Sequence, residues 1–190
     1  MKISRVFVVL TLLQLAGCAP HFGENIEVPI IPPASSTYAR AKLNVVVQLG
    51  ELKDVRDQLV GEDLSGMGGF TQPRGDVSGK VTEALTGELQ ARGVQVSPGA
   101  PLTIWGEVRR WRSHVATTSV SAIDSEASLY LEVVNREGRK VYSGSFHGSR
   151  SSQFPIASPI DVQTSLGIAM SKAIEEALHD EEFLTALWQR

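Results

Sequence analysis

The sequence predicts an α+β fold: a mostly antiparallel sheet with helices packed on one of its faces, in the order β-α-(β)-β-β-β-α. Three observations predict it. Apolar and polar residues alternate over Leu102–Trp111 and Glu126–Val134, the period of a strand with one buried face. Asn135-Arg136-Glu137-Gly138 then separates the second run from Lys140–His147 as a hairpin turn, with Gly138 available for positive φ. Val77, Val81, Leu85 and Leu89, and later Val162, Leu166, Ala169, Met170, Ala173 and Ile174, recur at helical spacing. One sheet face covered by the helices buries all of these stripes at once, and no repeat, coiled coil or second core competes with that arrangement.

Taken from the N-terminus, Lys2 and Arg5 precede a mostly apolar run, Val6–Leu15. The run is too short for a membrane-spanning helix, which needs ~20 residues. It has the charge, length and small-residue end of a secretory signal. Leu15-Ala16-Gly17-Cys18 closes it and holds the single cysteine of the chain. This tetrad resembles the lipobox of bacterial lipoproteins, which implies that residues 1–17 are removed and that Cys18 carries lipid. A lone cysteine makes no internal disulfide, and a bare thiol in an oxidising envelope invites pairing between chains. Thioether attachment removes that hazard, and two or more acyl chains make membrane attachment stable. Ala19 follows. In the sorting pattern of enteric lipoproteins, Asp at that position favours inner-membrane retention, so the resemblance implies the outer membrane, with the periplasmic side as the default.

Residues 18–39 read as the lipid-anchored Cys18 and a tether, punctuated by Pro20, Pro29, Pro32, Pro33, Ser35, Ser36 and Thr37. Such composition favours a semi-extended strap. A single domain is expected over 40–190. Its first strand is Lys42–Leu49, with Leu43, Val45, Val47 and Leu49 on one face. The polar stretch Gly50–Gly75, with Gly61, Gly66, Gly68 and Gly69, is expected to be a long irregular loop and a contact loop. Asp76 caps a helix running to about Arg92, Gly93 ends it, Val94–Val96 form a short strand, and Ser97–Pro101 turn. Of the three strands that follow, the first points Leu102, Ile104, Gly106 and Val108 inward, and the second Ala127, Leu129, Leu131 and Val133. On the third, Tyr142 and Phe146 are the inward residues. Gln153–Pro159 breaks the chain before a helix from Ile160 or Asp161, and a short turn holding Phe183, Leu187 and Trp188 ends it.

The outward sheet face carries the candidate site. Unbroken alternation puts Trp105, Glu107, Arg109 and Trp111 outward on one strand and Tyr130 and Glu132 on the next. Indole, guanidinium and phenol groups anchor interfaces well, so Trp105, Arg109, Trp111 and Tyr130 form the expected contact face. The competing reading packs these aromatics beneath the tether or the 50–75 loop.

Other classes find little support. The formal charge is −3, and loss of Lys2 and Arg5 with the signal makes the chain more acidic, which gives no general attraction to nucleic acid. Arg109, Arg110 and Arg112 make only a local basic patch. Ser145 and His147 share a strand face, but residues two apart lie about 6–7 Å from one another, too far for a base–nucleophile bond. His21, His114, His147 and His179 are scattered without ligand spacing, and Gly66–Gly69 has no following lysine to make a phosphate cradle. No catalytic residue, metal or cofactor is assigned.

Several blocks in order carry a wider resemblance. They are the Leu15–Cys18 tetrad, Asn44-Val45-Val46-Val47, Val81–Pro98 with Ala91-Arg92-Gly93, the strand opening Glu126-Ala127-Ser128-Leu129, and the helix ending in Phe183 and Trp188. Together they resemble the YajG family of Gram-negative outer-membrane lipoproteins. In enteric bacteria that gene stands beside one for a muropeptide permease, which associates the family with cell-wall metabolism. The resemblance brings no catalytic residues, and Cys18 alone maps to a position with a known role. The expected function is a non-enzymatic interaction module, anchored in the outer membrane, whose partners are the membrane through its lipid and an envelope protein. The alternatives are a binding module for peptidoglycan fragments or glycan, and an envelope hydrolase joining His147 or His114 to a carboxylate and a nucleophile.

Overall fold

In the computed structural model, which describes residues 28–29, 45–57 and 68–188, the elements follow in chain order. They are β1 (Val46–Asp54), β2 (Gly68–Thr71), α1 (Val77–Ala91), β3 (Gln95–Val96), β4 (Leu102–Thr117), β5 (Ser121–Asn135), β6 (Lys140–Phe154), α2 (Pro159–His179) and α3 (Glu181–Trp188). The sheet order is β3-β1-β4-β5-β6, with β2 also paired to β4. β1 runs parallel to β3 and β4, and the other pairings are antiparallel. Helix α2 packs across β4, β5 and β6, α1 lies on β1 and β3, and α3 sits against β6. This is the expected α+β arrangement.

The helices begin where the sequence provides caps. The Asp76 carboxylate accepts from the Gly79 amide at 2.7 Å, and Gly93 turns the chain at φ 83° after α1. Ser158 and Asp161 form a reciprocal capping box at α2, with Pro159 in the first helical position. The expected terminal turn is the helix α3. Asp180 accepts from the Phe183 amide at 2.6 Å and from the Tyr142 hydroxyl at 3.1 Å. Burial, then the Asp180 carboxylate, pushes the Tyr142 hydroxyl above the usual tyrosine range, so it stays a donor.

The three long strands extend well beyond their expected ends. β4 continues to Thr117, β5 starts at Ser121, and β6 reaches Phe154. Serines on the inward face conceal the alternation there. Ser113, Ser121 and Ser125 are buried, and the Ser125 hydroxyl lies 2.9 Å from those of both Ser113 and Ser165. This chain of hydroxyls satisfies the polar groups that face α2. Gly148 permits the same close packing: a Cβ there would meet the Ala169 carbonyl oxygen and stand 2.6 Å from the Ala173 nitrogen.

Parts of the stretch expected as one irregular loop are strand. Gly50–Asp54 complete β1, whose pairing with β4 shifts register between Leu49 and Leu52, leaving Val47 and Leu52 fully buried. Gly68 and Gly69 belong to β2, opposite Ala116 and Val115, and so are strand rather than loop. A four-residue Gly-Gly-Phe-Thr run has no legible alternation, and the exposed edge of β4 beyond β1 supplies its pairing. Cys18, Gly61 and Gly66 lie outside the described residues. Within the expected tether, Val28 is buried in the core cluster.

Candidate contact face

A single β-bulge decides which aromatic residues reach solvent. In the β4–β5 pair, Val108 stands opposite Leu129 and Arg110 opposite Ser128, so Arg109 is the inserted residue. An inserted residue reverses the inside–outside parity of all that follows. Before it Leu102, Ile104 and Val108 point inward; after it Trp111, Ser113 and Val115 do. The expectation for Trp111 is therefore corrected. Its side chain is wholly buried beneath α2, where Nε1 donates to the Leu166 carbonyl oxygen at 2.9 Å.

Trp105, Arg109 and Tyr130 do lie outward. Trp105 is 43% exposed, and its indole rests on Gly50 of β1, where a Cβ would come within 2.5 Å of the ring. Gly50 thus seats the indole, a role that sequence reasoning assigned to no residue. The Arg109 guanidinium stacks 4.0 Å from the centre of the Tyr130 ring, while its Nε donates to Glu107 at 2.9 Å. Beside it, the Tyr130 hydroxyl donates to Glu132 at 3.2 Å, and Lys140 pairs with Glu132 at 2.6 Å. The bond to Glu132 raises the Lys140 pKa, with Tyr130 adding to it. Exposed ion pairs contribute little to stability, and an exposed cation–π stack ~0.5–1 kcal/mol. Their effect here is to hold the Tyr130 ring in place on an open sheet face, while Gly50 seats the Trp105 indole.

Arg56 is a second residue without a forecast role. Its side chain is 8% exposed, pairs with Asp54 at 2.7 Å, and reaches the carbonyl oxygens of Pro73 and Trp111. The hydrogen bond from Arg56 holds the Asp54 carboxyl below the usual carboxylate range. Gln72 Nε2 donates to the Asp57 carbonyl at 2.9 Å, which ties the chain just after β2 to the chain just after β1. The signal available in sequence was the Asp54-Val55-Arg56 spacing alone.

The other chemical candidates are dispersed. Ser145 lies near the Arg109 guanidinium at 3.5 Å, and the His147 amide donates to Glu176. His114 lies on the far half of the sheet against Phe70. Among the described residues no group of three or more His, Cys, Asp or Glu side chains is placed to hold a metal. No described helix is long and apolar enough to cross a membrane.

Comparison with known proteins gives the class and the family of this chain. Residues 32–187 match the family described as "Uncharacterized lipoprotein", and the chain belongs to it. It is an envelope-anchored bacterial lipoprotein of an uncharacterised family. No curated protein matches the chain. Protein XCC0632 from Xanthomonas campestris, of family DUF330, has a similar structure: TM-score 0.56 at 12% identity, over 85% of this chain and 95% of that one. That likeness is one of fold. A minor lipoprotein from Acinetobacter baumannii (TM-score 0.46, 13% identity, 73% of this chain and 93% of that one) is more distant. So is the PelC dodecamer from Paraburkholderia phytofirmans (0.42, 13%, 79% and 93%).

Proposed function

We propose that this lipoprotein is a non-enzymatic interaction module of the YajG type, anchored by Cys18 in the outer membrane and facing the periplasm. Its partner is an envelope protein, received on the face formed by Trp105, Arg109 and Tyr130. The observation that carries this reading is Trp105, a large exposed indole held in place by Gly50 and bordered by the Arg109–Tyr130 stack. Pre-positioned aromatic and arginine side chains lose little freedom on association, which is what makes such residues interface anchors. The acidic groups around them are already paired, Glu107 with Arg109 and Glu132 with Lys140, and form a rim of both signs. The buried Val28 limits the reach of the tether: it lies ten residue steps from Cys18, at most roughly 35 Å at ~3.3–3.6 Å per residue. The domain would then work close to the membrane.

The test is photo-crosslinking in living cells from a reactive residue at Tyr130 or Trp105, with Glu83 on α1 as a control position. A discrete protein adduct from the first two sites, absent from the third and lost in Arg109→Ala, is expected. Adducts of equal yield from all three, in correctly localised protein, would refute the assignment of this face.

A further inference from the structure

Beyond the bulge, the sheet presents a second outward surface that shares no residue with the Trp105 face. Register places Phe70 beside His114, His114 beside Asp124, and Asp124 beside Ser151, with Arg112, Glu126 and Ser149 forming the adjacent row. The two rows line a groove of about 340 Å³. Small-molecule sites span ~300–1,000 Å³, so the groove has room for a compact ligand.

The groups in it fall into two sets. Phe70 is 37% exposed, with its ring 4.9 Å from the His114 imidazole and 4.9 Å from the Arg112 guanidinium. Arg112 and Arg110 share the Glu126 carboxylate, and the residues lining the groove carry two positive charges, Arg112 and Arg150, against two negative ones, Asp124 and Glu126. The Asp124 carboxylate, the Ser149 and Ser151 hydroxyls and the His114 ring nitrogens form no hydrogen bond or ion pair with a described residue. An aromatic wall therefore faces a row of available acceptors and donor–acceptors.

An anion would be repelled by Asp124, and a cation would meet the arginines at the rim. A neutral molecule with an apolar C–H face and many hydroxyls suits both sets. Its hydroxyls donate to Asp124 and exchange bonds with His114, Ser149 and Ser151, while its C–H face covers Phe70. We infer that this groove binds a neutral saccharide. The inference is independent of the protein-contact reading.

The test uses the purified full-length lipoprotein in detergent, with chitobiose and cellobiose as probes and saturation-transfer NMR from the protein's aromatic protons. Transfer to sugar C–H protons is expected at about 10 mM sugar, above the millimolar affinity of a weak site. Phe70→Ala, which removes the apolar contact, and the near-isosteric Asp124→Asn, which weakens a hydrogen bond, should each reduce binding about fivefold or more, the factor for a loss of ~1 kcal/mol, while Trp105→Ala leaves it unchanged. Circular dichroism confirms that each variant is folded. Three results would overturn the inference: no transfer from the wild type to either sugar, undiminished transfer in Asp124→Asn, or preferential transfer to a lysine-containing tripeptide.

Discussion

Replacement of Trp111 separates the bulged sheet from an unbroken one. Its side chain is wholly buried and bonded to the Leu166 carbonyl at 2.9 Å, so Trp111→Ala removes the largest side chain of the β4–α2 interface and leaves a cavity. Core Trp or Phe to Ala changes cost ~3–5 kcal/mol, against a total domain stability of ~5–15 kcal/mol. With a urea slope near ~2 kcal/mol/M, the midpoint should fall by about 1.5–2.5 M. Trp111→Phe keeps a ring and loses the bond, a loss of ~1 kcal/mol plus a smaller cavity term. Trp105 is 43% exposed, and its replacement by Ala should change stability by less than about 1 kcal/mol. The assay is urea denaturation of the purified lipoprotein followed by far-UV circular dichroism, which does not depend on the deleted indole. A Trp111→Ala midpoint closer to wild type than that of Trp105→Ala would refute the bulge and the core position of Trp111.

Two other perturbations probe the packing and the charges. Gly148→Ala places a methyl group against backbone atoms of α2, which cannot rotate aside, and should destabilise by about 1–3 kcal/mol; calorimetry reads the lowered Tm. Gly69→Ala meets nothing within 4 Å and serves as its control. Asp54 has a folded pKa below its unfolded value of about 3.9, so its contribution is fully present above that value. It disappears as pH falls through the lower folded pKa. Asp54→Asn should therefore lower the urea midpoint at neutral pH and cease to differ from wild type in strong acid. A difference independent of pH would refute the Arg56 pairing.

Much of the fold was legible because the residues that shape it are local. Asp76, Gly93 and Gly138 mark ends and turns through their own chemistry, and the stripe Val77–Leu89 and the row Leu102–Val108 each name a buried face. What escaped depends on neighbours distant in sequence. Trp111 is inward because Arg109 has no partner on β5, although the consecutive exposed pair Arg109–Arg110 was a readable break in the alternation. Ser113 and Ser125 are inward because Ser165 meets them from α2, which polarity alone argues against. On the proposed contact face, the amphipathic residues Trp105, Arg109 and Tyr130 could be named from strand parity up to the bulge. Gly50 could not, since its use depends on β1 lying beside β4.

The edge of β4 explains why Arg56 matters to both outward surfaces. β1 pairs with this edge as far as Val108, and β2 pairs with it from Ser113 onward, running in the opposite direction. Between them Trp111 offers a carbonyl that neither strand reaches. The Arg56 guanidinium bonds it at 3.4 Å and also holds Pro73 at 3.2 Å, just past the end of β2. A side chain thus bridges the ladder at the bulge and joins the Trp105 half of the sheet to the Phe70 half. Arg56→Met keeps the apolar stem and removes these bonds, leaving carbonyls and Asp54 without their partner, for a cost of about 1–3 kcal/mol. The loss should be local. Hydrogen exchange of the β2 amides that bond to β4 should accelerate strongly, while exchange at Leu129 and Leu131 in the centre of β5 follows only the global change in stability. Equal acceleration in both strands would mean that Arg56 supports the whole domain and that β2 is held by β4 alone.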